Sequence, residues 1–155
     1  MDIEYWLNAN ALSYVAHEHP PVLTCDELAT YSIPGLSCKN LFLRDQKKRR
    51  YFLVVLPAAR QTDLSHIGEV VGERKLSFAS PEALMEILGV TPGSVSPFGL
   101  LNDSASSVEL FIHQEVANAA VVHFHPNRNT ASLELTGEVF RKFLTLLRQK
   151  STFFI

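Results

Sequence analysis

The chain has 155 residues, 46 % of them hydrophobic, with 14 Lys and Arg against 16 Asp and Glu and a net charge of −2. That length and apolar share suit a single domain over residues 1–155 with a real core, and they exclude global disorder and a protein that grips duplex DNA along its length. Two cysteines, Cys25 and Cys38, lack CxxC spacing, which excludes a disulfide framework and the common zinc ribbons and suits a reducing cytosol.

The N-terminus, Met1-Asp2-Ile3-Glu4, is acidic and lacks the basic start of a secretory signal. No apolar run approaches the roughly 20 residues of a membrane span, so a cytoplasmic protein without a membrane partner is expected. Residues 2–9 predict a short helix capped by Asp2, with Ile3, Trp6 and Leu7 on one face. LSYVAHEH (12–19) predicts a strand that Pro20-Pro21 stops. Its His17 and His19 share a face, as a ligand pair or as plain sheet residues.

Thr24 and Glu27 stand at capping-box positions of a helix over 23–30, with Leu23 and Leu28 as its hydrophobic staple. A hairpin follows, KNLFLRD and RRYFLVVLP, with Lys47-Lys48-Arg49-Arg50 at a solvated tip. TDLSHIGEVVG predicts a helix opened by Thr62 and closed by Gly72. SPEALMEILG predicts another, with Ser80 as cap, Pro81 at its first position and Gly89 past its end. Residues 91–99 read as a loop. Segments 106–114 and 118–126 read as antiparallel strands, and 131–136 as a third. A helix from Gly137 to about Gln149 closes the chain, with Val139, Phe143, Leu146 and Leu147 inward. The pattern is α+β, a mainly antiparallel (mixed) sheet covered by helices.

Three stretches can carry chemistry. In Gly89–Gly99 the glycines allow a close backbone approach, and successive amides can cradle an anion or carbonyl; the plain alternative is a connector. In VVHFHPNRN, His123 and His125 share a strand face. With His113 or Glu115 they could seed a zinc site, but no grouping of metal-ligand spacing supports this. His123 reads as a half-buried sheet residue, while His125 stands at the strand end, where site residues tend to sit. Lys39-Asn40 puts an ammonium and an amide at the mouth of an apolar strand, either solvated or held to meet an anion. Cys38 beside Lys39 could be an activated thiol, which keeps a Cys38–His125 hydrolase open. No nucleophile elbow, P-loop or dinucleotide fingerprint is present.

CKNLFLRD (38–45), GSVSP (93–97) and FHPNRNTAS (124–132), in that order, together with HEHPPVLTCDEL (17–28), resemble the YbaK/prolyl-tRNA synthetase-associated editing domain family. The similarity runs from about Tyr14 to the final helix and is nearest to the free-standing prolyl-tRNA deacylase branch. Asn127 stands where members often have leucine.

The resemblance implies hydrolysis in trans, without metal or other cofactor, of an amino acid wrongly attached to proline tRNA, most simply alanine, with cysteine as the alternative. The family's lysine falls on Lys39, its glycine loop on Gly93 to Pro97, its histidine on His125 and its asparagine on Asn129. Lys39 would meet the terminal phosphate or ribose, and Asn40 would orient it. Amides near Gly93 and Ser94 would hold the aminoacyl group, and Val95 and Phe98 would wall its side chain. Partners are then tRNA and, by association, prolyl-tRNA synthetase. A tRNA-binding module without catalysis, or a small-molecule cysteine or metal hydrolase, are the rivals.

Overall fold

The computed structural model describes residues 1–155. In chain order the elements are α1 (Ile3–Ala9), β1 (Val15–Glu18), α2 (Cys25–Ala29), β2 (Cys38–Asp45), β3 (Tyr51–Pro57) and α3 (Leu64–Val71). Then come β4 (Leu76–Phe78), α4 (Pro81–Leu88), β5 (Val108–His113), α5 (Gln114–Ala117), β6 (Val121–Phe124), β7 (Ala131–Thr136), α6 (Gly137–Leu146) and β8 (Ser151–Phe154). The strands form two sheets, β1-β7-β6 and β4-β2-β3-β5-β8. All pairings are antiparallel except β3 with β5 and β5 with β8.

The larger sheet buries both faces, which is why β3 reads as an unbroken apolar run rather than an alternation. Leu53 and Val55 point into the main core, where Val122, Phe124 and Leu133 of the smaller sheet meet Phe140 and Phe143 of α6. Phe52, Val54 and Leu56 point the other way, under Ile67 and Val71 of α3. No helix is long and apolar enough to cross a membrane.

Several local signals act as the sequence suggests. Asp2, Thr24 and Ser80 accept N–H groups at the starts of their helices, and Gly72 and Gly89 close theirs in the left-handed region. Others differ. Asp63, not Thr62, caps α3, taking the N–H groups of Ser65 and His66. Glu27 reaches the Leu23 N–H instead of closing a box on Thr24, and Leu23 stays 74 % exposed, so no staple forms. Residues 92–102 are two 3-10 turns, Pro92–Ser94 and Pro97–Asn102, rather than open loop.

β5 and β6 do not pair with each other. The short α5, whose first turn is capped when the His113 Nδ1 accepts the Glu115 N–H, breaks the expected hairpin and sends the strands to different sheets. α6 stops at Leu146, and that residue is 49 % exposed; the buried face is Phe140, Phe143 and Leu144, with Val139 and Leu147 partly buried against the core as expected. The chain then adds β8, in parallel beside β5. At the hairpin tip, Lys47 to Arg49 are exposed, but Arg50 folds back onto Glu73 and Glu109, over the Phe52 ring.

Candidate active site

Strand β4 covers β2 only from Leu43 to Asp45, so the first half of β2 is left as an open edge. A cavity of about 550 Å³ occupies that opening, between the two sheets. Lys39, Asn40, Gly93, Val95 and His125 line it together, as do Ser37 and His123. Leu23, Cys25 and Leu28 close it from the α2 side, and Phe124 from β6.

The remaining expected residues lie elsewhere. Ser94 and Pro97 are buried behind the wall, and the Ser94 N–H is donated to Thr91 within its own turn, which removes it as a donor to a ligand. Asn129 is also behind the wall, where its Nδ2 donates to the Val22 carbonyl and packs against Gly93. A Cβ on Gly93 would stand 3.0 Å from Leu23 and 3.2 Å from Asn129. Phe98 is a core residue, edge-on to Phe124 and Phe143, so the apolar wall is Val95 with Leu23, Leu28 and Phe124. Asn127 sits at φ 62° beside a different cavity, next to α1.

Lys39 does not hang in solvent. Its Nζ donates to the Arg60 carbonyl (2.5 Å) and to the Thr62 hydroxyl (3.4 Å). An ammonium has three N–H donors, so one donor is left without a protein partner. Asn40 Oδ1 is buried and has no partner.

Three histidines are held in one tautomer, each by a main-chain carbonyl. Nδ1 faces the Pro20 carbonyl in His19 (2.9 Å), Pro34 in His123 (3.0 Å) and Ala131 in His125 (2.7 Å). A carbonyl only accepts, so each Nδ1 carries the proton and each Nε2 of the neutral ring offers a lone pair. His19 Nε2 takes the Ser132 hydroxyl and His123 Nε2 takes Ser37. His125 Nε2 has no protein partner. Burial pushes the His123 and His125 pKa values down, against the carbonyl bonds that raise them, so both rings are neutral near pH 7. Ser96, fully buried, donates to the His125 carbonyl and accepts the Phe98 N–H, tying the 3-10 turns to the end of β6. Neither Ser37 nor Ser96 stood out in the sequence; the one available signal was Ser96 beside Pro97 in the turn.

Cys38, left open as an activated thiol, lacks the lowered pKa such a nucleophile needs. Burial pushes its thiol up to about 12, and Cys25 beside it adds to the rise. Cys25 is raised too, chiefly by desolvation, which outweighs Lys39. His113 belongs to the other sheet, with Phe154 edge-on to its ring, and His17 bonds Glu134. No three His, Cys, Asp or Glu side chains converge as a metal cluster.

The family model for the aminoacyl-tRNA editing domain matches residues 19–143. The prolyl-tRNA editing protein ProX of Acetoanaerobium sticklandii is 38 % identical over 135 residues, covering 86 % of this chain and 82 % of its own. The prolyl-tRNA synthetase associated domain-containing protein 1 of Mus musculus is 34 % identical over 149 residues, covering 92 % and 88 %. A solved structure described as a candidate trans-editing enzyme for prolyl tRNA synthetase superposes with a TM-score of 0.70 at 18 % identity, covering 97 % of this chain and 94 % of its own. The hypothetical protein APE2540 gives 0.74 at 19 %, covering 96 % and 95 %. The chain belongs to the aminoacyl-tRNA editing domain family of hydrolases.

Proposed function

We propose that this protein is a trans-acting deacylase that removes alanine wrongly attached to proline tRNA, correcting the product of prolyl-tRNA synthetase. The observation that carries the reading is the neutral, unpartnered Nε2 of His125, a residue that lines the same cavity as Lys39. A charged 3′ end brings a phosphate, a ribose and an ester to one place. Lys39 meets the phosphate or ribose with its remaining donor. His125 accepts a hydrogen bond from the ribose hydroxyl, and that hydroxyl assists a water at the ester carbon. The acyl C–O bond breaks, alanine leaves as its carboxylate and the tRNA regains its terminal hydroxyl. The scheme invokes no cofactor.

Selectivity is assigned to the apolar part of the lining, Val95, Leu28 and Phe124, where the aminoacyl side chain would pack; a methylene or two there changes rates by about 10- to 200-fold. Raised thiol pKa values at Cys25 and Cys38 disfavour the rival cysteine hydrolase.

The test charges proline tRNA with Ala, Cys, Ser or Pro and follows release of each. Alanine is expected to leave fastest and proline slowest. Lys39→Ala is expected to lower kcat/KM by about 10- to 100-fold, the value of one charge-assisted hydrogen bond. Preferential release of cysteine would replace the substrate, and full activity of Lys39→Ala would remove the role given to that residue.

A further inference from the structure

The Ser37 hydroxyl has one proton, and the fold dictates where it goes. The Pro34 carbonyl holds the proton of His123 on Nδ1, 3.0 Å away, so Nε2 can only accept. Ser37 Oγ lies 3.3 Å from that Nε2 and donates to it. His123 is 4 % exposed, so no water competes for this lone pair. What Ser37 presents to the cavity is therefore two lone pairs and no proton. Asn40, on the same lining, keeps a buried Oδ1 without a partner. The Ser37 oxygen, left as an acceptor, selects a donor. In an aminoacyl ester the carbonyl and ester oxygens only accept, while the α-ammonium only donates.

We infer that Ser37, oriented by His123, binds the α-ammonium of the aminoacyl group, and so recognises a free amino acid ester rather than an acyl ester in general. The inference rests on the deacylase reading above. Ser37 is here a substrate-binding residue, and His123 is a positioning residue that acts through it. Asp26, the one carboxylate on the cavity lining, sits on the exposed first turn of α2 and adds attraction at the mouth.

The test compares two esters of the same proline tRNA, alanyl and propionyl, the second lacking the amino group. Ser37→Ala is expected to lower kcat/KM for the alanyl ester at least about tenfold and to change the propionyl rate less than about twofold. Ser37→Thr, which keeps a hydroxyl, is expected to retain the alanyl preference. The propionyl rate doubles as a folding control for each variant. An equal fall for both esters, as from a merely structural role or a bond to the ribose, would overturn the inference, and so would no fall in either. Should the unaltered protein discharge neither ester, the deacylase reading itself fails, a distinct result.

Discussion

At the scale of single residues, the central feature is the charge state of His125. Its ring is half-buried, and desolvation holds the imidazole below its ordinary pKa of 6.5. The acceptor form needed at Nε2 is thus the main form at neutral pH. It is lost only as pH falls through a pKa lower than 6.5. The pH profile of kcat/KM is expected to fall on an acid limb whose midpoint lies below the ordinary imidazole value of 6.5. A limb centred well above neutrality would assign the ionisation to another group. Lys39 and His125 were legible in the sequence because each breaks the apolar habit of its strand. Ser37 was not, since the proton it gives to His123 depends on a carbonyl at Pro34, on a different segment.

At the scale of elements, caps and short hairpins were readable because their causes are local. Ser80-Pro81 and Gly89 bracket α4 within ten residues of chain, and β2 with β3 closes through one tight turn. The separation of β5 from β6 and the addition of β8 were not, because parallel pairing joins residues far apart and leaves no alternation to read. Continuing α6 past Leu146 follows the helical period that Leu147 still carries; the chain instead turns and pairs along the edge of β5 as β8. At the junction of β7 with α6 the backbone just before β6 comes close. Gly137 donates its N–H to the Ala120 carbonyl (2.7 Å), and a Cβ at this position would collide with the Ala119 carbonyl oxygen. Gly137→Ala is expected to destabilise the protein by about 2–3 kcal/mol, read as a lowered denaturation midpoint. An unchanged midpoint would show that the β6 approach yields freely.

At the scale of the molecule, the site exists because two sheets leave a gap. His125 comes from the end of β6 in the smaller sheet, and Lys39 and Asn40 from the uncovered edge of β2 in the larger. The α+β class follows from the run of elements, yet the division into two sheets places the cavity, and it depends on contacts no local pattern records. The same architecture links stability to pH. His113, His123 and His125 all have folded pKa values below 6.5, each chiefly through burial. Below 6.5 the unfolded chain takes up protons that the fold refuses, so the stability these rings contribute is complete above that value and declines as pH falls. Thermal midpoints are therefore expected to drop between about pH 7.5 and about pH 5.5. A midpoint that rises on acidification would contradict the burial of neutral rings.

The most direct measurement is the release of labelled alanine from alanyl-charged proline tRNA, with and without the protein, beside a His125→Phe variant. Release far above the buffer rate by the unaltered protein, and a large loss in the variant, is the predicted result. Release no faster than in buffer, or a fully active His125→Phe variant, would contradict the claim that this cleft cleaves the ester.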